Sequence, residues 1–363
     1  MKVSEIKDEL FRRGISFQGL FEKEELVRAL VKARAEQTSD LDSLDVLKDL
    51  GGTVVPMKRT RARENSLGSE VRVDEKDYFS IAVSLPELKV SRAEFVIDTA
   101  STLSIVVPSF ARTTQAQATG RTASVNAATA GGQQLSQVSL GRTEINVGGS
   151  RVECGRLEPI VMDLPVKDGV AGLLGVDFLL RFDALFDLKE ERVALARPNT
   201  IVSGALGQQG ALRAMERAGL VEVPMFFLPP PAGFYVVKVK IEVEGRSSPV
   251  MSAVVDMGST FTVINTPAAR SVGVDEGSPL LRDTNSVLSG ATLPGQTFST
   301  IRFQEGALKL GKCKCCVADL PAFVMLGMRD RPAMVLGLDV LGGSRGRFGF
   351  SASGKRAWIS PME

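Results

Sequence analysis

Hydrophobic and polar positions follow two different periods along the chain, and the change of period divides it. In the first 36 residues, apolar positions recur at helical spacing, at Val3, Ile6 and Leu10 and again from Leu26 to Leu30. This spacing predicts two short helices. From about residue 71 onwards, short runs rich in Val, Ile, Phe and Thr alternate with period two, and Gly-rich turns separate them. The second pattern predicts a series of short β-strands.

Shifts in composition predict five segments. Residues 58–63 are strongly basic and follow a pair of glycines, which is typical of a solvated linker. A helical pattern at 208–218 and three prolines at 229–231 indicate a join between two β units. The predicted segments are a helical module at 1–36, a linker at 37–70, a first β lobe at 71–200, a connection at 201–220 and a second β lobe at 221–363.

An internal repeat relates the two β lobes. Residues 93–106 align with residues 251–264, and each segment is a hydrophobic strand, an aspartate, a turn of small residues and a second hydrophobic strand. Further on, residues 172–179 align with residues 334–341. The two motifs occur in the same order and at nearly the same separation in both lobes. The repeat therefore predicts two similar lobes related by a pseudo-twofold axis.

The repeated aspartates, Asp98 and Asp256, are the candidate chemistry. A single Asp-Thr-Ala-Ser is common in turns, but a pseudo-twofold axis would bring the two carboxyl groups together. Two carboxyl groups in contact share a proton and titrate as a pair. One can then deprotonate a bound water while the other donates a hydrogen bond to a substrate carbonyl. This pairing predicts hydrolysis without a metal or a cofactor.

The composition agrees with a hydrolase of this kind. The 363 residues include no histidine, which excludes hydrolases with an imidazole base and zinc sites with a histidine ligand. The 44 Lys and Arg residues nearly balance the 42 Asp and Glu residues, and the net charge is +2. This balance gives no electrostatic reason to expect a nucleic-acid or membrane partner for the whole chain.

The two motifs resemble those of the aspartic protease superfamily, in its retropepsin-like and pepsin-like forms. The resemblance covers about residues 71–361, and its carriers are Asp98-Thr99-Ala100-Ser101 and Asp256-Met257-Gly258-Ser259. In each lobe a hydrophobic–hydrophobic–Gly triplet follows, and it ends at Gly175 or Gly337. The resemblance implies a mainly β, bilobal protein, built as a pair of β-barrels with an active-site cleft between the lobes. It also implies a monomer that hydrolyses peptide bonds in polypeptide substrates.

The resemblance also implies roles for particular residues. Asp98 and Asp256 would be the catalytic dyad. Ser101 and Ser259 match the positions that hydrogen-bond the outer carboxylate oxygens in the family. Thr99, Ser101, Gly258 and Ser259 together are expected to support the catalytic loops. Hairpins at 130–134 and 289–296 stand where flaps over an extended peptide would be.

Three departures from the family pattern leave an alternative open. Ala100 stands where glycine is usual, and Met257 stands where a hydroxyl residue that cross-links the two loops is usual. Neither candidate flap contains a tyrosine, since the chain has only Tyr78 and Tyr235. The alternative is a degenerate relative that binds peptides without cleaving them.

The N-terminal module resembles the SAP family of helix–loop–helix modules, several of which bind DNA. The matching positions run from Val3 to Leu30, and the loop after Gly19 is longer than is usual in the family. Residues 1–36 carry eight basic and seven acidic side chains. Phosphate binding needs several unopposed cations, so this balance favours a protein contact over a weak nucleic-acid contact. A third hypothesis is therefore an adaptor that acts through this module.

The remaining signals concern localisation and minor sites. Acidic residues among the first thirty argue against a signal or transit peptide, and no apolar run predicts a membrane span. We expect an intracellular and most simply cytoplasmic protein, with plastid or nucleus as alternatives. Cys313, Cys315 and Cys316 do not predict a metal site, because only the first two share a strand face. The repeated Asp177 and Asp339 are expected to cap short helices, and Trp358 to pack in the core.

Overall fold

The structure is a computed structural model that describes most of the two β regions and a small part of the N-terminal module. The described residues are 3, 6, 22–27, 29, 52–60, 78–114, 122–125, 135–139, 141–148, 152–164, 166, 169–198, 215, 219–228, 233–288, 291–298, 300–303, 313–325, 327–343 and 346–360.

Short strands dominate the described part of the chain. The strands are β1 Thr53–Thr60, β2 Tyr78–Leu85, β3 Val90–Ile97, β4 Ile105–Val106, β5 Thr122–Val125, β6 Leu135–Ser139, β7 Thr143–Val147, β8 Val152–Leu157, β9 Ile160–Val161, β10 Val170–Leu174, β11 Asp183–Asp187, β12 Arg192–Ala196, β13 Val221–Pro224, β14 Phe226–Phe227, β15 Tyr235–Val243, β16 Arg246–Ser247, β17 Met251–Val255, β18 Thr262–Ile264, β19 Leu281–Leu288, β20 Ala291–Phe298, β21 Thr300–Phe303, β22 Cys313–Val317, β23 Ala333–Leu336, β24 Arg347–Ser351 and β25 Arg356–Ile359. The helices are α1 Pro108–Thr113, α2 Val176–Leu179, α3 Thr266–Ser271, α4 Pro321–Met325 and α5 Leu338–Leu341, with a 3₁₀ turn at Pro86–Leu88. The predicted mainly β class is confirmed.

The strands form two sheets, and among the described residues the expected pair of β-barrels is not closed. Among the described residues, a 15-stranded sheet runs from β13 to β5 and a 10-stranded sheet runs from β14 to β19. A barrel closes only when its edge strands pair with each other. Here β11 of the first lobe pairs instead with β24 of the second, in the register from Asp183 opposite Ser351 to Asp187 opposite Arg347. This edge therefore joins the lobes rather than closing one of them.

The joint between the lobes is a six-stranded part of the larger sheet, in the order β13-β25-β24-β11-β12-β1. Across it, the rings of Phe186 and Phe348 stack with centroids 6.0 Å apart. Arg347 Nε lies 3.4 Å from the buried Asp187 Oδ2, which places a charge pair in the same joint. Trp358 on β25 is buried with Met215 and Leu220, as predicted. The two lobes thus share strands and core.

Strand β1 lies where the sequence predicted a solvated linker, and for residues 53–60 that prediction is wrong. The strand pairs with β12 on one side and with β2 on the other. Val55 and Met57 point into the core, whereas Lys58 and Arg59 are exposed. The basic residues masked an apolar alternation that was present in the sequence. The five predicted segment boundaries otherwise stay predictions.

Equivalent parallel strand pairs place the two repeated motifs side by side. In the first lobe β3 runs parallel to β10, with Ile97 opposite Leu174. In the second lobe β17 runs parallel to β23, with Val255 opposite Leu336. All four of these residues are buried. Each pair ends next to an aspartate, so the fold presents both aspartates from strand ends.

Little of the N-terminal module is described. Val3, Ile6 and residues 23–27 are helical, and the buried Ile6 and Leu26 are on the face that the helical spacing predicted to be apolar. The rest of the proposed SAP-like module lies outside the described residues, and its assignment stays a prediction. In the described part of the chain, no helix combines the length and the apolar character that a membrane crossing requires.

Candidate active site

Both aspartates follow directly after a buried strand, and a hydrogen bond from the main chain fixes each of them. The Asp98 N–H donates to the Leu174 carbonyl oxygen at 3.0 Å, and the Asp256 N–H donates to the Leu336 carbonyl oxygen at 3.0 Å. Each bond links the start of an aspartate loop to the hydrophobic–hydrophobic–Gly strand of the same lobe. The repeat that the sequence revealed is therefore a repeat of structure.

The glycine of each triplet is required by the close passage of the aspartate loop. A Cβ at Gly175 would lie 2.6 Å from the Leu103 carbonyl oxygen and 2.7 Å from that of Ser101. A Cβ at Gly337 would lie 2.5 Å from the Phe261 carbonyl oxygen. These contacts are with backbone atoms, which cannot move aside as a flexible side chain can. Glycine therefore lets each loop pass against its supporting strand.

The two aspartate side chains meet at the junction of the lobes. Their carboxyl groups are hydrogen-bonded to each other, and both residues are half-buried. Burial raises the pKa of both carboxyl groups, because removal from water disfavours the charged form. The neighbouring charge of Asp98 raises the pKa of Asp256 still further. The pair therefore retains a shared proton to a higher pH than an isolated aspartate would.

Main-chain N–H groups of each loop hold one oxygen of each carboxyl group. The Ala100 N–H donates to Asp98 Oδ1 at 2.7 Å. The Gly258 and Ser259 N–H groups donate to Asp256 Oδ1 at 2.8 and 3.0 Å. Such bonds favour the ionised form and oppose the effect of burial. They also fix the orientation of the two carboxyl groups.

Thr99 cross-links the loops, as expected for a support residue, and Met257 does not. The fully buried Thr99 hydroxyl donates to the Val255 carbonyl oxygen at 2.7 Å and accepts from the Met257 N–H at 2.9 Å. Both partners belong to the other lobe. The Met257 side chain is buried in the main core instead. One hydroxyl thus links the two loops, in addition to the hydrogen bond between the carboxyl groups.

Gly258 and Ala100 stand at equivalent positions with different surroundings. A Cβ at Gly258 would lie 2.6 Å from Asp98 Cγ and 2.7 Å from its Oδ2, so this glycine leaves room for the carboxyl group. Ala100 is half-buried, and it packs against an apolar cluster of the second lobe that includes Phe234 and Val254. The methyl group that the family pattern lacks is therefore accommodated at the lobe junction.

The two serines do not make the contact that the resemblance implied. Ser101 Oγ donates to the Leu103 carbonyl oxygen and Ser259 Oγ donates to the Phe261 carbonyl oxygen, each at 2.8 Å. Both hydroxyls therefore close their own loops instead of contacting the outer carboxylate oxygens. The contribution of Ser259 to the dyad is its N–H, and the hydroxyls contribute indirectly through loop shape.

Asp177 and Asp339 also differ in detail from the expected helix caps. Ser104 Oγ donates to Asp177 Oδ1 at 2.7 Å, and Thr262 Oγ1 donates to Asp339 Oδ1 at 2.8 Å. The residues at the N-cap positions of α2 and α5 are the triplet glycines, which make no side-chain cap. The two aspartates thus tie each short helix to the strand after the aspartate loop. Burial raises the pKa of Asp177.

Sequence reasoning missed one residue near the dyad. Burial, and after it the charges of Asp256 and Asp98, raise the pKa of Tyr78 to about 12. Tyr78 opens strand β2, twenty positions before Asp98, and no motif marks it. The signal that could have found it is the register of β2 on β3, which the sequence does not reveal.

The candidate flaps are described only in part. Strands β5 and β6 pair up to Val125 opposite Leu135, and β19 and β20 pair up to Leu288 opposite Ala291. The predicted hairpin at 130–134 lies outside the described residues, as do residues 289–290 of the second, and both assignments as flaps stay predictions. Cys315 and Cys316 are buried in different clusters. Within the described ranges, no three His, Cys, Asp or Glu side chains form a group that could hold a metal ion.

A comparison with known protein families agrees with the first lobe. Residues 87–178 match a family model described as aspartyl protease, and this segment contains Asp98 and the triplet that ends at Gly175. The resemblance to aspartic proteases is confirmed. The match ends before Asp256. The likeness of the second lobe to the first rests instead on the equivalent strand pairs and aspartate loops. No curated protein matches the chain significantly.

Several solved structures are similar to this chain at low identity. A retropepsin-like aspartic protease from Rickettsia conorii is 16% identical, covers 40% of this chain and 92% of its own, and has a TM-score of 0.25. Basic 7S globulin from soybean is 12% identical over 86% of this chain and 95% of its own, with a TM-score of 0.43. Conglutin gamma from lupine seeds is 12% identical over 85% and 95%, with a TM-score of 0.41.

Proposed function

We propose that this protein is an aspartic endopeptidase that hydrolyses peptide bonds in polypeptides with a water held between Asp98 and Asp256. The observation that carries the proposal is the contact between these two carboxyl groups, which the two repeated loops present from opposite lobes. A carboxyl pair that shares one proton contains a base and an acid at the same time. This combination suits the hydrolysis of an amide.

The charge interaction within the pair favours a division of labour. The charge of Asp98 and the hydrogen bond between the carboxyl groups raise the pKa of Asp256, while the same hydrogen bond lowers that of Asp98. In our proposal the ionised Asp98 takes a proton from the water as the water attacks the scissile carbonyl. The protonated Asp256 donates a hydrogen bond to the carbonyl oxygen as negative charge develops there. The proton taken up by Asp98 then passes to the leaving nitrogen.

The test is cleavage of a mixed peptide library between about pH 3 and 8, a range that spans the usual and raised carboxyl pKa values. It uses the full chain, because deletion of residues 1–70 would remove β1 with its buried Val55. The wild type is compared with Asp98→Asn and Asp256→Asn, with and without a statine-type mimic of the transition state. We expect each variant to lose at least about a hundredfold in rate, the lower range for a lost general acid or base. Cleavage that survives in both variants would exclude the dyad.

Peptide binding without hydrolysis is the second candidate, and the buried Met257 favours it. Met257 contributes no hydroxyl, so among the loop side chains only Thr99 supplies a hydroxyl that links the loops. A weaker link between the loops would loosen the dyad geometry that hydrolysis needs. In this case the wild type would bind the mimic but cleave no peptide at any pH. Asp98→Asn would then retain most of the affinity. Circular dichroism of each preparation would separate this result from a failure to fold.

A further inference from the structure

Tyr78 lies beside the dyad because of the register of two neighbouring strands. In the antiparallel pair of β2 and β3, Ser80 is opposite Val96. The same register continued by two residues places Tyr78 opposite Asp98. Residues directly opposite each other in an antiparallel pair have Cβ atoms about 4.5–5.5 Å apart and point to the same side of the sheet. The phenol therefore leaves the sheet on the side of the Asp98 carboxyl group.

Electrostatics agree with this placement. The charges of both Asp256 and Asp98 raise the pKa of Tyr78, so the phenol is near both carboxyl groups and not only the one on its own lobe. Burial is the largest cause, and together the effects raise this pKa to about 12. A phenol with such a pKa stays protonated at any pH at which a protease works. Tyr78 is therefore a neutral hydrogen-bond donor and neither a base nor a nucleophile.

The hydroxyl of Tyr78 has no hydrogen-bond partner among the residues that the structure describes. The side chain is half-buried, and its hydroxyl is not among the fully buried polar atoms that lack a partner, so it is accessible to a ligand. A polar ligand beside the dyad would supply one. The backbone of an extended peptide offers a carbonyl oxygen for each residue, which suits a donor that stays neutral.

We propose that Tyr78 is a further substrate-contacting residue, whose hydroxyl donates a hydrogen bond to a carbonyl oxygen of the peptide bound at the dyad. The inference rests on the proposed function in one respect, that the site accepts a peptide. It adds a third side chain to the two aspartates, contributed by β2, the strand that pairs with the one leading into the first aspartate loop.

The chain provides a matched control, since Tyr235 is the only other tyrosine. Burial alone raises the pKa of Tyr235. Its ring packs between those of Phe227 and Phe350, with centroids 5.1 and 5.6 Å away. The dyad carboxyl groups do not contribute to its raised pKa. Any response to the dyad or to a peptide should therefore appear at Tyr78 and not at Tyr235.

The experiment labels the full chain with 3-fluorotyrosine, which gives two fluorine NMR signals. The variants Tyr78→Phe and Tyr235→Phe assign them. We expect a statine-type peptide to shift the Tyr78 signal and leave the Tyr235 signal in place. In cleavage assays Tyr78→Phe should lower kcat/KM by about tenfold, the effect of one hydrogen bond, whereas Tyr235→Phe should match the wild type.

The outcomes separate this inference from the proposed function. Cleavage by the wild type with an unmoved Tyr78 signal and unchanged Tyr78→Phe kinetics would overturn the inference and leave the protease. A protein that cleaves nothing but binds the mimic, with a shifted Tyr78 signal and weaker binding by Tyr78→Phe, would retain the peptide contact and overturn the protease. A folded protein that neither cleaves nor binds would overturn both.

Discussion

The two aspartate loops share a backbone and differ in their side chains. Each begins with an N–H bond to the supporting strand, passes against a glycine and closes with a serine hydroxyl. The first loop then provides a cross-linking hydroxyl at Thr99 and a methyl group at Ala100. The second provides a buried thioether at Met257 and no side chain at Gly258.

This difference shows that symmetry is required of the main chain and not of every side chain. The main chain positions the carboxyl groups, and so both lobes keep the same bonds and the same close passage. The hydroxyl that links the two aspartate loops belongs to Thr99 of the first loop. The second loop passes close to the Asp98 carboxyl group, and Gly258 leaves room for it. The first loop has Ala100 at the equivalent position.

Exchanging the side chains at the third loop position should have the largest effect. In Gly258→Ala the new methyl group would lie 2.6 Å from Asp98 Cγ, so the carboxyl group must move. We expect kcat/KM to fall by at least about a hundredfold, or about 2.7 kcal/mol of barrier. Peptide cleavage at the optimum pH measures this loss.

The reciprocal change, Ala100→Gly, is the matched control. It makes the two loops alike and removes a methyl group that packs on the second lobe. The expected activity is within about threefold of the wild type, because less than about 1 kcal/mol of barrier is at stake. Equal losses of activity in both variants would show that the two positions do not differ in the space they leave for the opposite carboxyl group.

Removing the Thr99 hydroxyl should have the next effect, on stability and not directly on the rate. Thr99→Val keeps the shape of the side chain but leaves the Val255 carbonyl and the Met257 N–H without their partner. Each buried group left unsatisfied costs about 1–3 kcal/mol, so for the two groups we expect about 2–6 kcal/mol of lost stability. Denaturant unfolding measures it, with Thr99→Ser as the control that retains the hydroxyl. Equal stability of the valine and serine variants would contradict a cross-linking role.

The sequence predicts the symmetric features of this site well, because symmetry is visible as a repeat. Asp98 and Asp256 appear at aligned positions, as do Gly175 and Gly337, and the structure brings each aspartate to its glycine strand. The mainly β class follows from period-two alternation. These features depend on local patterns that recur in the chain.

The features that sequence reasoning missed depend on pairing between distant strands. Nothing local in β1 shows that its partners will be β12 and β2, or that β11 will pair with β24. Tyr78 reaches the dyad only through a register that side-chain types do not determine uniquely. The direction of the Ser101 hydroxyl, which donates to the Leu103 carbonyl oxygen, is likewise set by the folded loop.

Asp256 should destabilise the folded protein as the pH rises, to an extent set by its raised pKa. A carboxyl group with a folded pKa above its unfolded value stabilises the fold at low pH, and this contribution is lost as the pH rises through the folded pKa. Folded and unfolded pKa values that differ by one pH unit correspond to about 1.4 kcal/mol of stability. We therefore expect Asp256→Asn to melt above the wild type near neutral pH, by a few degrees, with the difference vanishing in acid.

Thermal melts at a series of pH values between about 3 and 8 measure this difference, because that range brackets ordinary and raised carboxyl pKa values. Asp275→Asn, at an exposed position in an ion pair with Arg270, controls for the loss of one negative charge. An Asp256→Asn variant that melts below the wild type at neutral pH would contradict the raised pKa. The variant should at the same time be inactive, so a gain in stability would accompany the loss of function.

The smallest expected effect concerns the serines, where the loops are most alike. Ser101→Ala and Ser259→Ala each remove one hydroxyl bond of 2.8 Å to a carbonyl of the same loop, so each should cost about 1 kcal/mol of stability. The two losses should be equal within error. Because neither hydroxyl contacts a carboxylate, the pH dependence of kcat/KM should keep its position in both variants. If the hydroxyls instead held the outer carboxylate oxygens, their loss would raise the carboxyl pKa and move the acidic limb of the profile to higher pH. An unmoved profile would show that the serines shape the loops and leave the ionisation of the dyad to burial, to the main-chain N–H groups and to the two aspartates themselves.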